Sequence, residues 1–291
     1  MERTKYNKTA TSIFCSDLHL REDTPTCFMG DFQKEQWGCL DYISNLQKIH
    51  NCKVFCGGDI FHHWKASPWL LSKTIKHLPD QFYSVAGQHD LPQHNMSLIN
   101  KSGIYTLVEA SKLVLLDECH WGQIPNKGSW YFEEFDCHLL VWHHLTYITT
   151  PFPGATGGQA EGLLRKYKKF PIILCGDNHQ SFYTEYEGRL LVNPGPITRQ
   201  TADQIDFQPR VALWYADTNT ITWVNLPMQE GVISREHIEV KEQRNARIDA
   251  FISRLDSDWK ADMSFEENLR KFFNNNQIRQ SVKQIIYKAI E

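Results

Sequence analysis

The sequence lacks the features that mark several common classes of protein. It has no internal repeat and no low-complexity tract, and the lack of a CxxC pair argues against a zinc ribbon. A disordered chain is excluded because 41% of the residues are hydrophobic and 12% are aromatic. No apolar run approaches the roughly 20 residues that a membrane helix needs. The segment Met1–Thr11 is polar and has no hydrophobic signal core, so we expect a cytoplasmic protein, in a bacterium or in the host cell of a virus, without membrane contact.

The chain also has little excess charge of either sign. Its 31 basic and 34 acidic residues give a net charge of −3, which argues against a polybasic binder but leaves room for a local basic groove. Its eight cysteines, several of them within apolar runs, predict reduced, buried thiols rather than a disulfide framework. They are Cys15, Cys27, Cys39, Cys52, Cys56, Cys119, Cys137 and Cys175.

Short apolar runs alternate with longer helix-like segments, a pattern typical of an α/β fold. The runs are continuous rather than alternating, as expected for strands that are buried on both faces. We expect strands at Ser12–Ser16, Lys53–Cys56, Phe82–Val85, Cys137–Trp142, Ile172–Cys175, Arg189–Val192, Val211–Ala216 and Thr220–Leu226. We expect helices at Asp31–His50, Pro68–Leu78, Ala160–Lys169, Phe265–Phe273 and Ile278–Ile290.

The character of the sequence changes near Pro227. We expect one large domain over residues 1–226 and an accessory helical segment over residues 227–291. A capping box at Ser264 and Glu267 indicates where the first of the two terminal helices begins. The segment is too short and polar for an enzyme domain, so it is interpreted as a lid, a docking arm or a dimerisation element.

Five of the apolar runs are followed immediately by polar side chains that can bind metal. The five segments are 16–19 (SDLH), 57–62 (GGDIFH), 87–90 (GQHD), 143–144 (HH) and 176–179 (GDNH). In an open α/β sheet, ligands collect at the carboxyl ends of the strands. The five segments are therefore expected to converge on one site.

The donor types in these segments indicate a catalytic metal centre. Carboxylate and imidazole together suit manganese, iron or zinc, and the lack of thiolates argues against structural zinc. Asp17 and His19 stand two apart in extended chain, so both can grip one ion. Two ions held roughly 3.5–4 Å apart clamp a phosphoryl group and activate a water. Each motif alone is weak, since a histidine after a strand is usually structural; the ordered set carries the prediction.

That ordered set resembles the calcineurin-like metallophosphoesterases, whose pattern is DxH, GD, GN(H/E), H and GHxH, each after a strand. Within that superfamily it is most similar to the SbcD-type DNA repair nucleases, the phosphoesterase subunits of double-strand-break processing complexes. The similar segments are 58–62 (GDIFH) followed by Ser67-Pro68, 87–90 (GQHD) and 193–197 (NPGPI). The resemblance implies a layered sandwich of two mixed sheets flanked by helices. It also implies a DNA exonuclease and endonuclease acting in repair, recombination or replication.

The resemblance assigns a role to each matching position. It implies two divalent ions, with Mn²⁺ expected and Mg²⁺, Fe²⁺ or Zn²⁺ as alternatives. The implied ligands are Asp17, His19 and His179 for the first ion, Asp59 as the bridge, and Gln88, His143 and Asp177 for the second. His89 matches the catalytic histidine, Asp90 is expected to orient its imidazole, and His62 matches a histidine near the scissile phosphate.

The sequence departs from the family pattern at the second ion. Gln88 stands where Asn is usual, and Asp177 stands where the first His of GHxH is usual. These oxygen donors predict a preference for Mn²⁺ or Mg²⁺ over Zn²⁺ there. His144 is an alternative to His143, because consecutive residues of a strand point to opposite faces; the family pattern favours His143.

Other functions and partners stay open from the sequence. The same site serves nucleotide and cyclic-nucleotide phosphodiesterases, and the two departures are also compatible with a catalytically weak DNA-binding scaffold. The resemblance implies DNA and an SbcC-type coiled-coil ATPase as partners, the latter through the terminal helices, and a homodimer. Trp64 and Lys65 follow His62 and are candidates for DNA contact, although tryptophan more often packs in a core or at its rim.

Overall fold

The structure, a computed structural model, describes residues 8–116, 127–150, 154, 156–258 and 264–290. The strands in this part of the chain are β1 (Ser12–Cys15), β2 (Lys53–Cys56), β3 (Phe82–Ser84), β4 (Val114–Leu115), β5 (Lys127–Phe132), β6 (Cys137–His143), β7 (Thr146–Tyr147), β8 (Gly158–Gln159), β9 (Ile172–Gly176), β10 (Phe182–Tyr186), β11 (Arg189–Asn193), β12 (Arg210–Tyr215) and β13 (Thr220–Asn225). The helices are α1 (Phe32–His50), α2 (Pro68–His77), α3 (Gly103–Glu109), α4 (Ala160–Lys166), α5 (Glu236–Asp258), α6 (Phe265–Asn275) and α7 (Gln280–Ile290).

Two large mixed sheets form the centre of the fold. One has the order β13-β12-β1-β2-β3-β4, and the other has the order β10-β11-β9-β6-β5. In the first sheet β1 to β4 are parallel, and β12 runs antiparallel to β1. In the second sheet β6, β9 and β11 are parallel, and the edge strands β5 and β10 are antiparallel to their neighbours. The predicted α/β sandwich of two mixed sheets is confirmed.

Alternate side chains of each central strand enter different layers of the sandwich. Phe14 and Phe55 face the core between the two sheets, together with Val141 of β6. Their neighbour Ile13 packs in the layer that also contains Leu40 of α1. On the far side of the second sheet, Leu140, Ile173 and Leu164 of α4 share a third cluster. The central strands are thus buried on both faces, which is why their sequences are continuously apolar.

The eight predicted strands all form, and each bound lies within one residue of the prediction. Helix α1 begins one residue late because Asp31 caps it, its side chain accepting a hydrogen bond from the Lys34 amide. Helix α4 ends at Lys166 instead of Lys169, and α7 begins at Gln280 instead of Ile278. The helices α3 and α5 and the strands β4, β5, β7, β8 and β10 were not among the predicted elements. Three of these strands have only two residues, and β10 has no buried side chain.

The chain divides into two compact units, Met1–Ser234 and Arg235–Glu291. Residues 227–234 therefore group with the sheets, although the sequence places a boundary near Pro227. The backbone amide of Gln229 donates to Glu35 Oε2 over 2.7 Å, and Ile233 forms an isolated antiparallel β-bridge with Phe28. The second unit is helical, and Leu269, Phe272 and Phe273 form its buried core. The Ser264–Glu267 capping box is present.

The cysteines within the described residues are buried free thiols, as predicted. Burial raises the pKa of Cys52 to about 12 and that of Cys137 to about 11, so these thiols are protonated and unreactive near neutral pH. Cys119 lies outside the described residues. No helix in the described part of the chain combines the length and the apolar character that crossing a bilayer requires.

Candidate metal centre

The five polar segments meet where the carboxyl ends of the two sheets come together. The Asp17 amide donates to the Gly58 carbonyl over 3.1 Å, and the His19 amide donates to the Asp59 carbonyl over 3.0 Å. A Cβ atom at Gly57 would lie 2.9 Å from the Cys175 carbonyl oxygen, so glycine is needed where the loops of the two sheets touch. The expected convergence on one site is therefore present in the fold.

The first group of donor atoms comes from Asp17, His19 and His179. Their nitrogen and oxygen atoms lie within 4.8 Å of one another, a spacing that suits one metal ion. The Nε2 atoms of His19 and His179 are 3.2 Å apart, and His179 Nε2 is 4.0 Å from Asp17 Oδ1. Asp17 and His19 are buried, whereas the His179 side chain is 44% exposed, so this group opens toward solvent.

The second group comes from Asp17, Asp59 and His143, all buried and again within 4.8 Å of one another. Asp59 Oδ2 lies 3.3 Å from His143 Nε2 and 3.7 Å from His19 Nε2. This carboxylate oxygen therefore stands between a histidine of each group. That is the location required of a ligand that is shared by two ions.

Of the two adjacent histidines, His143 is the one that faces the centre. Its Nδ1 lies 2.8 Å from the Gly57 carbonyl, and its buried Nε2 has no hydrogen-bond partner among the described residues. A buried imidazole nitrogen without a partner, surrounded by carboxylates, is what a metal ligand requires. His144 instead stacks on Trp142, with ring centroids 4.2 Å apart.

Gln88 and Asp177 lie at the edge of the second group and contact each other. Gln88 Nε2 donates to Asp177 Oδ1 over 2.9 Å, and the same oxygen is 3.8 Å from His143 Nε2. The Asp177 amide donates to Asp17 Oδ1 over 3.0 Å, which fixes the loop that follows β9. Asp177 belongs to none of the three clusters of potential ligands among the described residues.

A third cluster joins His62 and His89 to His19. His89 Nδ1 donates to the His62 carbonyl over 2.9 Å, and the two rings stack with their centroids 5.7 Å apart. This contact leaves His89 Nε2 as the nitrogen available for a reacting group. Both side chains are half-buried, so the cluster lines the approach to the site.

Asp90 does not have the environment expected for a residue that orients the His89 imidazole. Its fully buried carboxylate accepts hydrogen bonds from the backbone amides of Ile60, Phe61 and Gly87 over 3.0–3.1 Å. The His62 carbonyl is what holds His89 Nδ1. Asp90 therefore fixes two of the loops that carry the site, those after β2 and β3, and its effect on His89 passes through the backbone.

The buried carboxylates of the site are balanced by positive charge. Burial raises the pKa of Asp17 above 3.8, against the opposing effect of His143. Burial would also raise the pKa of Asp59, but the electrostatic effect of His143, followed by that of His19, holds it below 3.8. Burial lowers and Asp59 raises the pKa of His143, with a net result of about 10. A divalent ion would supply the positive charge that a proton on His143 otherwise supplies. The donor set thus fits divalent metal.

Four site residues have left-handed backbone conformations that side chains rarely adopt. The φ angles are 49° at Asp17, 42° at His19, 53° at Asp59 and 78° at Asp177. Such conformations cost on the order of 1–3 kcal/mol each and are concentrated at functional sites. The backbone amides of Asp17 and His19, bonded to the loop after β2, help to hold the strained turns.

Sequence reasoning did not assign the residues that position the loops around the site. Asn193 Nδ2 donates to the carbonyls of Asn178 and Gln180 over 2.7 and 2.6 Å, which fixes the loop that carries His179. Gln200 Nε2 donates to the His19 carbonyl over 3.0 Å, and its Oε1 accepts from Arg21. The only sequence signal for Gln200 and Asn193 is their presence in or next to the NPGPI segment.

A sequence profile of the calcineurin-like phosphoesterases matches residues 10–181, more than half of the chain. The chain belongs to the calcineurin-like phosphoesterase family. The predicted superfamily is thereby confirmed, and with it a phosphoester hydrolase that depends on divalent metal. The Asp and His clusters described above are the candidate ligands in this phosphoesterase.

Comparison of this phosphoesterase with solved structures gives similar folds at low identity. An archaeal phosphodiesterase has a TM-score of 0.45 at 12% identity, covering 74% of this chain and 99% of its own. Vacuolar protein sorting 29 from Cryptosporidium parvum has a TM-score of 0.38 at 15% identity, and the match covers 75% of this chain and 97% of that protein. A predicted phosphoesterase from Streptococcus pneumoniae TIGR4 has a TM-score of 0.34 at 13% identity, and the match covers 74% of this chain and 97% of that protein. A comparison with curated protein sequences gives no match.

Proposed function

We propose that this phosphoesterase is a DNA nuclease of the SbcD type that uses two divalent ions, with Mn²⁺ as the preferred metal. The observation that carries the proposal is the position of Asp59 Oδ2, 3.3 Å from His143 Nε2 and 3.7 Å from His19 Nε2. A carboxylate between two imidazole-containing groups is the arrangement of a bridged pair of ions. The His62–His89 cluster lies directly beside it.

Each side chain of the site has a distinct task in this proposal. Asp17, His19 and His179 would hold the first ion, Gln88, His143 and Asp177 would hold the second, and Asp59 would serve both. When bound, the two ions would polarise the phosphodiester and activate a water for attack on phosphorus. His89 presents Nε2 to the leaving oxygen and donates a proton to it, because the His62 carbonyl occupies Nδ1.

Three features support DNA as the substrate. The segments that resemble the nuclease branch are 58–62, 67–68, 87–90 and 193–197. His179 is 44% exposed and His62 and His89 are half-buried, so a polymer can reach the site from the surface. Trp64 is half-buried and Lys65 is exposed, two and three residues after His62, and an aromatic ring and a positive charge at these positions support contact with a DNA strand.

The helical unit is proposed as the docking site for a coiled-coil ATPase of the SbcC type. Val240 and Ile248 of α5 and Val282 and Ile285 of α7 are exposed apolar side chains, with Ile285 68% exposed. Arg244 and Arg247 line the same groove as Val240, Ile248 and Val282. Apolar side chains framed by arginine suit the surface of an amphipathic helix. The cytoplasmic location and a homodimer also remain proposals.

The test is degradation of end-labelled duplex and single-stranded DNA by the full chain in the presence of Mn²⁺. Wild type is expected to degrade DNA and Asp59→Asn is expected to be inactive. Asp217→Asn changes an exposed aspartate paired with Lys8, and this matched control is expected to keep activity. Labels at the 5′ and 3′ ends give the polarity of digestion.

Parallel assays with small nucleotide diesters separate the proposal from its alternatives. Intact DNA with hydrolysed cyclic or linear dinucleotides would replace the nuclease by a nucleotide phosphodiesterase. Intact DNA and intact diesters, combined with DNA binding that survives a chelator, would replace it by a non-catalytic scaffold. Equal DNA loss in wild type and Asp59→Asn would refute the assigned site.

A further inference from the structure

We infer that Gln88 and Asp177 act as one unit, in which the length of the glutamine is matched to the aspartate so that their contact positions the second ion. The inference rests on the proposed metal site and deepens it. Gln88 Nε2 is 2.9 Å from Asp177 Oδ1, and that oxygen is 3.8 Å from His143 Nε2. One carboxylate oxygen therefore faces both the amide and the imidazole of the second site.

The contact joins loops that belong to different sheets. Gln88 follows β3 of the first sheet, and Asp177 follows β9 of the second. Each backbone is fixed independently: the His89 amide donates to Asp59 Oδ1 over 2.8 Å, and the Asp177 amide donates to Asp17 Oδ1 over 3.0 Å. The distance between the loops is thus set by other residues, and the two side chains must span it.

Glutamine has the reach that this span needs, and asparagine does not. Removing one methylene withdraws the amide by roughly one C–C bond length, about 1.5 Å, which turns a 2.9 Å hydrogen bond into no bond. The carboxylate of Asp177, 24% exposed, would then be free to rotate toward solvent. A lost outer contact of this kind typically lowers metal affinity by about 10–100-fold.

The orientation of the glutamine also serves the ion. Because Nε2 donates to Asp177, Oε1 is the atom of Gln88 that remains for metal. The second site then offers oxygen from Asp59, Gln88 and Asp177 and nitrogen from His143, which suits Mn²⁺ or Mg²⁺. We therefore expect that loss of either the Asp177 carboxylate or the Gln88 amide weakens the binding of the second ion by the other.

The test is a length-compensation cycle in the full chain, read as Mn²⁺ affinity by calorimetric titration and by the paramagnetic resonance signal of a coupled ion pair. Gln88→Asn is expected to weaken the second Mn²⁺ by at least about tenfold, and Asp177→Glu to weaken it also, since the extra methylene crowds the contact. The double variant Gln88→Asn/Asp177→Glu restores the summed length and is expected to recover most of the affinity. No variant changes the net charge, and affinity for the first ion is the internal control.

Unchanged or tighter second-site binding in Gln88→Asn would overturn the inference, because asparagine would then be a better independent ligand. The inference would also be overturned if the double variant lost second-site Mn²⁺ affinity by the product of the two single-variant factors. Independent residues behave in this way, because their free-energy changes add. Metal titration without nucleic acid keeps this result separate from the proposed nuclease activity. If the double variant recovers Mn²⁺ affinity but the wild-type chain leaves DNA intact, only the proposed nuclease activity is refuted.

Discussion

His143 Nδ1 lies 2.8 Å from the carbonyl oxygen of Gly57, and this contact determines which ring nitrogen faces the site. A carbonyl can only accept, so Nδ1 carries the hydrogen and Nε2 is left to face Asp59 Oδ2 at 3.3 Å. Metal-binding histidines are generally oriented in this way by a partner behind the ring. The loop after β2 thus supplies both Asp59 and the group that orients His143.

The adjacent histidines offer a matched pair of variants. His143→Ala is expected to weaken the second Mn²⁺ by at least about 100-fold, more than loss of an outer contact does. His144→Ala removes a ring stacked on Trp142 and is expected to leave both metal affinities nearly unchanged. Calorimetric titration with Mn²⁺ measures both. Equal losses in the two variants would contradict the assignment of His143.

His89→Asn is expected to lower kcat for DNA by about 10²–10⁴-fold through loss of a proton donor. Both metal ions should stay bound, because His89 is assigned no ligand role. A p-nitrophenyl phosphodiester has a leaving group that needs no proton, so its hydrolysis should fall far less. Steady-state kinetics on both substrates, with metal content measured in parallel, make the comparison. The same loss on both would contradict proton donation by His89.

Asp90→Ala is expected to lower the free energy of unfolding by at least about 3 kcal/mol. The buried carboxylate accepts three backbone hydrogen bonds, and each buried donor left without a partner costs about 1–3 kcal/mol. Asp90→Asn keeps the shape and one acceptor oxygen, and should cost less. Urea unfolding in a chelator, which removes the contribution of metal, measures both. A loss below about 1 kcal/mol for the alanine variant would contradict the role of Asp90 in holding the loops.

The pH dependence of stability is expected to report the buried carboxylate of Glu35. Burial raises its pKa above 4.5, against the opposing effects of the Gln229 amide and the Arg199 guanidinium. The folded state therefore holds this proton more tightly than the unfolded state. The stability that results is complete below pH 4.5 and is lost as pH rises through the raised pKa.

Glu35→Gln cannot titrate, so the difference between wild type and variant isolates this group. The free energy of unfolding of wild type minus that of Glu35→Gln is expected to fall as the pH rises above about 4.5, and then to level off. Urea unfolding at a series of pH values measures it. A difference that rises with pH, or stays constant, would show that Glu35 has no raised pKa.

Phe272→Ala is expected to destabilise the helical unit, because Phe272 is 2% exposed in its small core. Truncation of a buried phenylalanine costs about 3–5 kcal/mol. Ile285→Ala, at a side chain that is 68% exposed, is the matched control and should have little effect. Hydrogen exchange of the α6 and α7 amides resolves the two. Equal loss of protection would contradict the described core.

The sequence predicted the central strands well, and the same pattern places the polar segments at the ends of those strands. A strand buried on both faces, such as Ile172–Gly176, is continuously apolar, and the polar residue that follows it marks the carboxyl end of the sheet. Within the described part of the chain, the edge strand β10 pairs with β11 alone and carries no buried side chain, so its sequence has no comparable signal. The helix Gly103–Glu109 buries Ile104 and Leu107, but its seven residues are too few to show a helical period.

Contacts between distant residues could not be predicted from the sequence. The Gln88–Asp177 hydrogen bond joins positions 89 residues apart, and only the packing of the two sheets brings them together. The partners of Asp90 are also invisible in the motif, because a carboxylate after a histidine can equally face a ring or a backbone amide. The position of residues 227–234 beside Glu35 depends likewise on packing rather than composition.

The strained left-handed turns lower the stability of this chain at the residues proposed to bind metal, which are Asp17, His19, Asp59 and Asp177. Glycine adopts these conformations freely, so replacement of a ligand by glycine removes strain while it removes the metal. Laboratory evolution that selects for heat resistance alone would therefore tend to erase the centre one residue at a time. A screen that requires bound metal at every round would have to find its stabilising changes elsewhere in the sandwich.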